Sequence, residues 1–312
     1  MMTSRPHCSI ALFLALTATL AAQTPTPAPA TPGRGMPDHP TVNLYGQAYT
    51  PLSIVTRNMG TAADQSEQFG PFHIVGNIYY VGTKTLSSFL IVTPAGNILL
   101  DSTYERNLPV IQKSVAQLGF KFSDIKILLG NHAHGDHMEG DAAVKQLTGA
   151  TVEVMAEDVP MLQKMMPGGK PHPIDKILQD GDTVSLGGTT LVAHLTGGHT
   201  PGCTTYTDTV QDGGKTYHVV FACSLRSPGV ITPEVKAEFD HTFAVVRTFP
   251  CDIMLGDHPS QWGMVEKYSH FIAGGPNPFI DAETCHKEID IEEAMFHAIL
   301  AEQAANPPAP KP

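Results

Sequence analysis

The sequence is poor in positive charge: 19 Lys and Arg stand against 30 Asp and Glu, for a formal net charge of -11. A nucleic-acid binder needs a basic face to gain the phosphate term, so no nucleic-acid partner is expected and a small organic substrate fits better. Long apolar runs are missing too. The uncharged N-terminal stretch from Ser9 to Ala22 is too short for a membrane span, and no membrane partner is expected. Nothing in the composition suggests a fibre or a repeat array. With 42% apolar and 16% charged residues, the chain has the makeup of a globular protein with a sizeable core.

The N-terminal residues do not read as part of that core. Arg5 precedes the apolar run Ile10 to Leu16, which ends in small residues around Ala18 to Ala22, the layout of a secretory signal peptide over residues 1–22. Cys8 lies before this run, not after it, so no lipoprotein site is read. Residues 23–40 are rich in Pro, Thr and Ala, have little to bury and are expected to form a disordered linker. Residues 41–305 read as a single domain, followed by a Pro-rich tail at 306–312. The expected location is the periplasm or the exterior. The sequence does not indicate the oligomeric state.

Cysteine is scarce as well, five in the whole chain. In an oxidising compartment the four that follow the signal stretch, Cys203, Cys223, Cys251 and Cys285, are disulfide candidates with three possible pairings. Thr204 to Thr209 and Thr216 to Ala222 read as a hairpin turning at Gln211-Asp212-Gly213-Gly214. A midpoint at residue 213 sets Cys203 opposite Cys223 if no bulge shifts the register, which leaves Cys251 with Cys285. Paired strands also hold free thiols, so whether Cys203 and Cys223 are bonded stays open.

What the chain does have is histidine in dense clusters. Asn131-His132-Ala133-His134-Gly135-Asp136-His137 follows the apolar strand pattern Ile125 to Leu129 and sets three imidazoles and a carboxylate within six residues. Neutral imidazole and carboxylate are ligands for borderline cations, zinc first. Two further strand patterns end in histidine: Leu195-Thr196-Gly197-Gly198-His199 and Leu255-Gly256-Asp257-His258. Between them, Phe221 to Gly229 ends a strand with Ser224 and Arg226, which on a continuing strand would face the same side. A guanidinium there suits a substrate carboxylate. The alternative is that Arg226 points past the site and pairs with a surface acid.

Around these motifs the pattern predicts strands at Phe72 to Val81, Ser88 to Thr93, Asn97 to Asp101, Thr151 to Met155, Thr183 to Leu186, Thr189 to Leu195 and Asp252 to Leu255. Helical spacing marks Glu105 to Leu118, Gly140 to Leu147, Pro233 to Phe249, Gln261 to Ile272 and Ala282 to Gln303. Strands then helix and strand, twice over, predict an α/β layered fold of two face-to-face sheets with helices outside. His194 reads as a plain strand residue, Met161 to Gly169 as a mobile substrate wall or ordinary core, and Tyr206, Trp262 and Tyr79-Tyr80 as packing.

The His-x-His-x-Asp-His motif, with the later histidines, resembles that of the metallo-β-lactamase superfamily, and the likeness extends from about residue 70 to residue 303. Ser224, standing where many sister hydrolases carry a bridging aspartate and subclass B1 a cysteine, resembles subclass B3, as do Asn277 to Asp281 and a Cys251–Cys285 pair. Arg226 departs from the second serine common in B3. The resemblance implies a four-layer αβ/βα sandwich. It also implies two zinc ions per chain, one on His132, His134 and His199 and one on Asp136, His137 and His258. The implied activity is hydrolysis of the β-lactam amide of antibiotics by metal-bound hydroxide. Asp136 would orient that nucleophile, Ser224 and Arg226 would contact the substrate, and the second zinc would stabilise the leaving nitrogen. The alternative is a dizinc hydrolase of another small ester, such as a lactone, on the same fold.

Overall fold

The computed structural model describes residues 36–306. The expected signal peptide, most of the expected linker and the tail beyond residue 306 lie outside the described residues. Of that linker, residues 36–40 are described: Leu52 N donates to Pro37 O at 3.0 Å and His39 pairs with Glu302 at 2.5 Å.

The chain begins with β1 (Val42–Leu44), β2 (Gln47–Tyr49) and α1 (Pro51–Met59), then runs through β3 (Phe72–Val75), β4 (Ile78–Tyr80), β5 (Phe89–Thr93) and β6 (Gly96–Leu100). After α2 (Leu108–Gln117) come β7 (Ile125–Leu129), α3 (Gly135–Met138), α4 (Asp141–Thr148), β8 (Thr151–Met155), α5 (Val159–Leu162) and β9 (Lys176–Leu178). The second half contains β10 (Thr183–Leu186), β11 (Thr189–Leu195), β12 (Thr204–Asp212), β13 (Lys215–Ala222), α6 (Pro233–Val246), β14 (Ile253–Gly256), α7 (Met264–Ala273) and α8 (Ala282–Ala305).

Strands β3 to β9 form one sheet in chain order, antiparallel up to β6 and parallel from β6 to β9. Strands β10 to β14 form the second, antiparallel except for the β13–β14 pair. Alternation along each strand sends one set of side chains between the sheets. Ile91, Ile98, Leu100 and Leu129 meet Leu191, Ala193, Tyr206, Phe221 and Leu255 there, with Trp262 and Phe279 closing one end. The opposite set on the first sheet, Leu90, Leu99, Leu128 and Val152, is covered by Ile111 and Val115 of α2 and Val144 of α4. On the second sheet, Val220, Ala222 and Met254 lie under Cys285 of α8, and Phe239, Phe243 and Phe296 join α6 to α8. The result is the four-layer αβ/βα sandwich.

Three expectations are corrected. The hairpin pairs Asp212 with Lys215 around Gly213-Gly214, so the register is one residue off the expected midpoint and Cys203 does not face Cys223 across the ladder. The two are bonded nonetheless, because β12 begins at Thr204 and β13 ends at Ala222, leaving both cysteines just beyond the ladder with Cα atoms 5.9 Å apart. Cys251 bonds Cys285 as expected. Second, the helix expected over Pro233 to Phe249 stops at Val246, and the one expected over Gln261 to Ile272 begins with a 3-10 turn before α7. Third, β1, β2, α1 and the edge strand β9 were not expected.

Candidate metal centre

The sheet topology delivers every histidine motif to one rim. Strands β6, β7 and β8 run parallel, so Asp101, the loop 130–137 and Asp158 all leave the same end of the first sheet. In the second sheet the end of β11, the start of β12 and the ends of β13 and β14 coincide by their pairing directions. Asn131 joins the two rims: its carbonyl accepts from Thr204 N at 2.8 Å and its side-chain amide donates to Thr204 O at 2.9 Å. His199 sits on a turn that needs glycine. Gly198 has φ of 126°, and a Cβ there would lie 2.7 Å from the Phe239 ring.

Two candidate ligand groups result. The donor atoms of His132, His134 and His199 lie within 4.8 Å of one another, and so do those of Asp136, His137 and His258. The groups adjoin, with the His132 and His137 rings 4.2 Å apart. Four imidazoles are held through Nδ1: His137 by Asp101 Oδ2 at 3.1 Å, His199 by Arg226 O at 2.8 Å, His258 by Thr85 O at 2.9 Å, and His132 beside Asp257 Oδ2 at 3.4 Å. An acceptor at Nδ1 fixes the tautomer and leaves the Nε2 lone pair facing inward. Nε2 of His137 and of His258 accordingly lie 3.4 and 3.9 Å from Asp136 Oδ2. His132, His137 and His258 are buried, while His134, Asp136 and His199 are half-buried and form the open side.

The electrostatics suit a cation. Burial holds His132 and His199 well below the usual histidine range, and His134 and His258 below it, so these rings are neutral and able to coordinate. Burial alone would raise Asp136, but His137, His258 and His134 hold it well below the carboxylate range. His137 is the exception: burial opposes its charge, yet Asp136 and Asp101 push it well above the normal value. Those two carboxylates supply the negative charge that a bound cation would neutralise. His137 Nε2 is moreover buried with no hydrogen-bond partner among the described residues. Imidazoles and one carboxylate, with an orphaned buried nitrogen aimed among them, fit zinc. A grouping of His132 with Cys203 and Cys223 is also close enough, but its sulfurs are bonded to each other.

Three buried aspartates brace the ligand loops. Asp101, in a left-handed conformation with φ of 63°, accepts from Asn131 N at 2.8 Å while orienting His137. Asp158 accepts from Ala133 N at 2.8 Å, Thr200 Oγ1 at 2.9 Å and Gly202 N at 2.7 Å, tying the His132–His134 loop to the His199 loop. Asp257 accepts from Ser224 N at 2.9 Å. Gly202 allows the close approach to Asp158, where a Cβ would come within 2.4 Å of the Asp158 amide. None of the three braces was expected from the sequence. The available signal was an acid directly following a buried strand, as in Leu99-Leu100-Asp101 and Leu255-Gly256-Asp257.

Ser224 is buried and Arg226 half-buried. β13 ends at Ala222, so strand alternation does not place them. Arg226 is located instead by its carbonyl, which accepts the His199 ring. Among the described residues its guanidinium makes no ion pair, and its charge helps depress both His199 and His134. Burial is the larger cause at each. His194 is a strand residue bonded to Thr207 Oγ1, and Tyr80, Tyr206 and Trp262 are core, as expected.

Comparison with known proteins identifies the family of the fold. Residues 81–214 match the family model of the metallo-β-lactamase superfamily. The structure is similar to the FEZ-1 metallo-β-lactamase of Legionella gormanii, at 42% identity over 77% of this chain and 98% of that one, with a TM-score of 0.74. It is also similar to BJP-1, a subclass B3 metallo-β-lactamase of Bradyrhizobium japonicum, at 35% identity over 78% of this chain and 97% of that one, with a TM-score of 0.71. A metallo-hydrolase of Burkholderia pseudomallei is 33% identical over 102 residues, 30% of this chain, and the match spans only 33% of that protein's length. The chain belongs to the metallo-β-lactamase superfamily, as a zinc hydrolase similar to its subclass B3 members.

Proposed function

We propose that the protein opens the amide bond of β-lactams with two zinc ions, one held by His132, His134 and His199 and the other by Asp136, His137 and His258. The observation that carries this reading is the pair of adjoining ligand groups on one rim, three histidines in one and two histidines with an aspartate in the other. The likeness to FEZ-1 over nearly all of that lactamase supports it, as does Ser224 at the position where sister hydrolases carry a bridging acid. Zinc bound there would supply a Lewis acid for the carbonyl, a water with a pKa of about 7 and a positive charge for the departing nitrogen.

The chain's own groups do the positioning. Asp136, ionised at neutral pH, accepts a hydrogen bond from the attacking water and orients it. Arg226 offers its guanidinium, unpaired among the described residues, to the carboxylate beside the lactam ring, a bidentate match. Met161, Met165 and Met166, with Gly135 and Glu139, border an open cleft beside the motif and give the substrate an adaptable apolar wall. The two disulfides suit an oxidising compartment, in keeping with export to the periplasm or beyond.

The test is turnover of a carbapenem, a cephalosporin and a simple lactone, with and without a chelator, alongside the zinc content of the purified protein. Chelator-sensitive β-lactam turnover with kcat/KM above about 10⁴ M⁻¹s⁻¹, in the usual enzymatic range, is expected. Lactone turnover without β-lactam turnover would reassign the substrate, and one zinc per chain would remove the second site.

A further inference from the structure

Three buried side chains that the hydrolytic reading does not use, Ser102, Asp141 and His172, join one wall of the cleft to the metal motif. The chain leaving α5 borders the cleft through Met161, Met165 and Met166, together with Gly135 and Glu139 of the motif segment. It then reverses through Gly168 and Gly169, both left-handed with φ of 55° and 75°, and returns toward β9.

His172 stands on that return, between two prolines, and is buried. Its Nε2 lies 3.1 Å from Oδ2 of Asp141, the first residue of α4. Oδ1 of the same carboxylate accepts from Ser102 Oγ at 2.5 Å, and Ser102 Oγ lies 3.4 Å from the carbonyl of His137. Ser102 is flanked by Asp101, which holds the His137 ring, and by Thr103, whose amide donates to His137 O at 2.9 Å. A line of polar contacts therefore runs from the return arm of the wall to the backbone of a candidate metal ligand.

The other ties of this arm to α4, Lys170 to Gln146 and Asp175 to Lys145, are exposed, so the clasp at Asp141 is the one shielded from water. It is also made at a cost. His172 Nδ1 is buried with no hydrogen-bond partner among the described residues, a penalty that an apolar residue packed here would avoid. What the clasp fixes in return is the wall, whose Met166 is 53% exposed and leaves apolar surface on the cleft uncovered.

Resting on the β-lactam reading above, we propose that His172 is a positioning residue that sets substrate specificity. Through Asp141 and Ser102 it holds the methionine wall at a fixed distance from the metal motif, and so favours β-lactams with a bulky apolar acyl side chain that packs on the wall.

The experiment uses the zinc-loaded protein and compares a penicillin bearing a phenylacetyl side chain with the same nucleus bearing a free amine. Both present the lactam and the carboxylate, so they differ only in what the wall can touch. His172→Leu should raise KM for the phenylacetyl compound about tenfold, the low end of what one methylene in an apolar pocket is worth, with kcat unchanged. KM for the bare nucleus and the zinc content should stay as in wild type. His172→Gln, whose amide can still donate to Asp141, should recover the low KM. Should His172→Leu not fold, His172→Asn, polar but too short to reach that carboxylate, should show the same split. Unchanged KM in these variants, an equal rise for both penicillins, a loss of zinc, or a defect that His172→Gln does not recover would each overturn the proposal while leaving β-lactam hydrolysis intact. Failure of the wild type to turn over either penicillin would reject the β-lactam reading, and this inference with it.

Discussion

His134 differs from the other imidazoles of the centre in having no hydrogen-bond partner on either ring nitrogen among the described residues, whereas His258 holds Thr85 O through Nδ1. The two can therefore separate coordination from structure. His134→Ala and His258→Ala should each lower kcat/KM by more than the roughly 10- to 100-fold typical of losing a residue that only orients a ligand. His134→Ala should leave the chelated protein within about 0.5 kcal/mol of wild type, as a substitution without structural partners does, and His258→Ala should cost more. Equal, full activity of both variants would reject the ligand assignment. Asp158 is the opposite case, since it touches no candidate metal position and braces the two loops of the first ligand group. Asp158→Ala leaves two buried amides and a hydroxyl without their acceptor, so urea unfolding should show a loss on the order of 3 kcal/mol.

At the scale of the element, α8 combines an apolar face with two buried acids, Glu288 and Glu292. The Glu292 carboxyl, at about 8 in the fold against an ordinary 4.5, keeps a proton that the unfolded chain has already released between those values. Its contribution to stability is therefore complete below the unfolded value and is lost as pH rises through the folded one. Glu292→Gln should match wild type in thermal unfolding at pH 4 and exceed it at pH 9 by on the order of 4–5 kcal/mol, the free energy that linkage assigns to the difference between the two values. An equal gain at both pH values would assign the effect to packing. Elements with a clean apolar period were legible in the sequence: β7, β8, β10 and β11 have the expected bounds. The missed ones are short or stabilised at a distance. β9 is a three-residue edge strand beginning at Lys176, and β1 and β2 pair only with each other. Helix α1 did carry a local signal, since Thr50 and Ser53 cap its first turn and Pro51 opens it. The six candidate ligand residues stood out because they fall in dense motifs at strand ends. Their aspartate braces did not, because each grips backbone amides from remote segments, which a sequence pattern does not reveal.

For the whole molecule, the candidate metal centre is the seam between two sheets. One ligand group takes His132 and His134 from the first sheet's rim and His199 from the second's, and the other takes Asp136 and His137 from the first and His258 from the second. Each ion would therefore cross-link the two halves of the sandwich and be coupled to global unfolding. A ligand that binds only the folded state stabilises by RT ln(1 + [L]/Kd), about 2.7 kcal/mol per site at a hundredfold excess over Kd. For a domain of this size that is worth on the order of 5–10 °C per site. Zinc added to chelated protein should raise Tm in two increments if the sites differ in affinity, and chelator should reverse both. His134→Ala should abolish the increment of the first group and His258→Ala that of the second, each leaving the other largely in place. A single increment lost in both variants would mean that the two groups bind one shared ion, and an unchanged Tm with zinc would mean that the sheets are not clamped by metal.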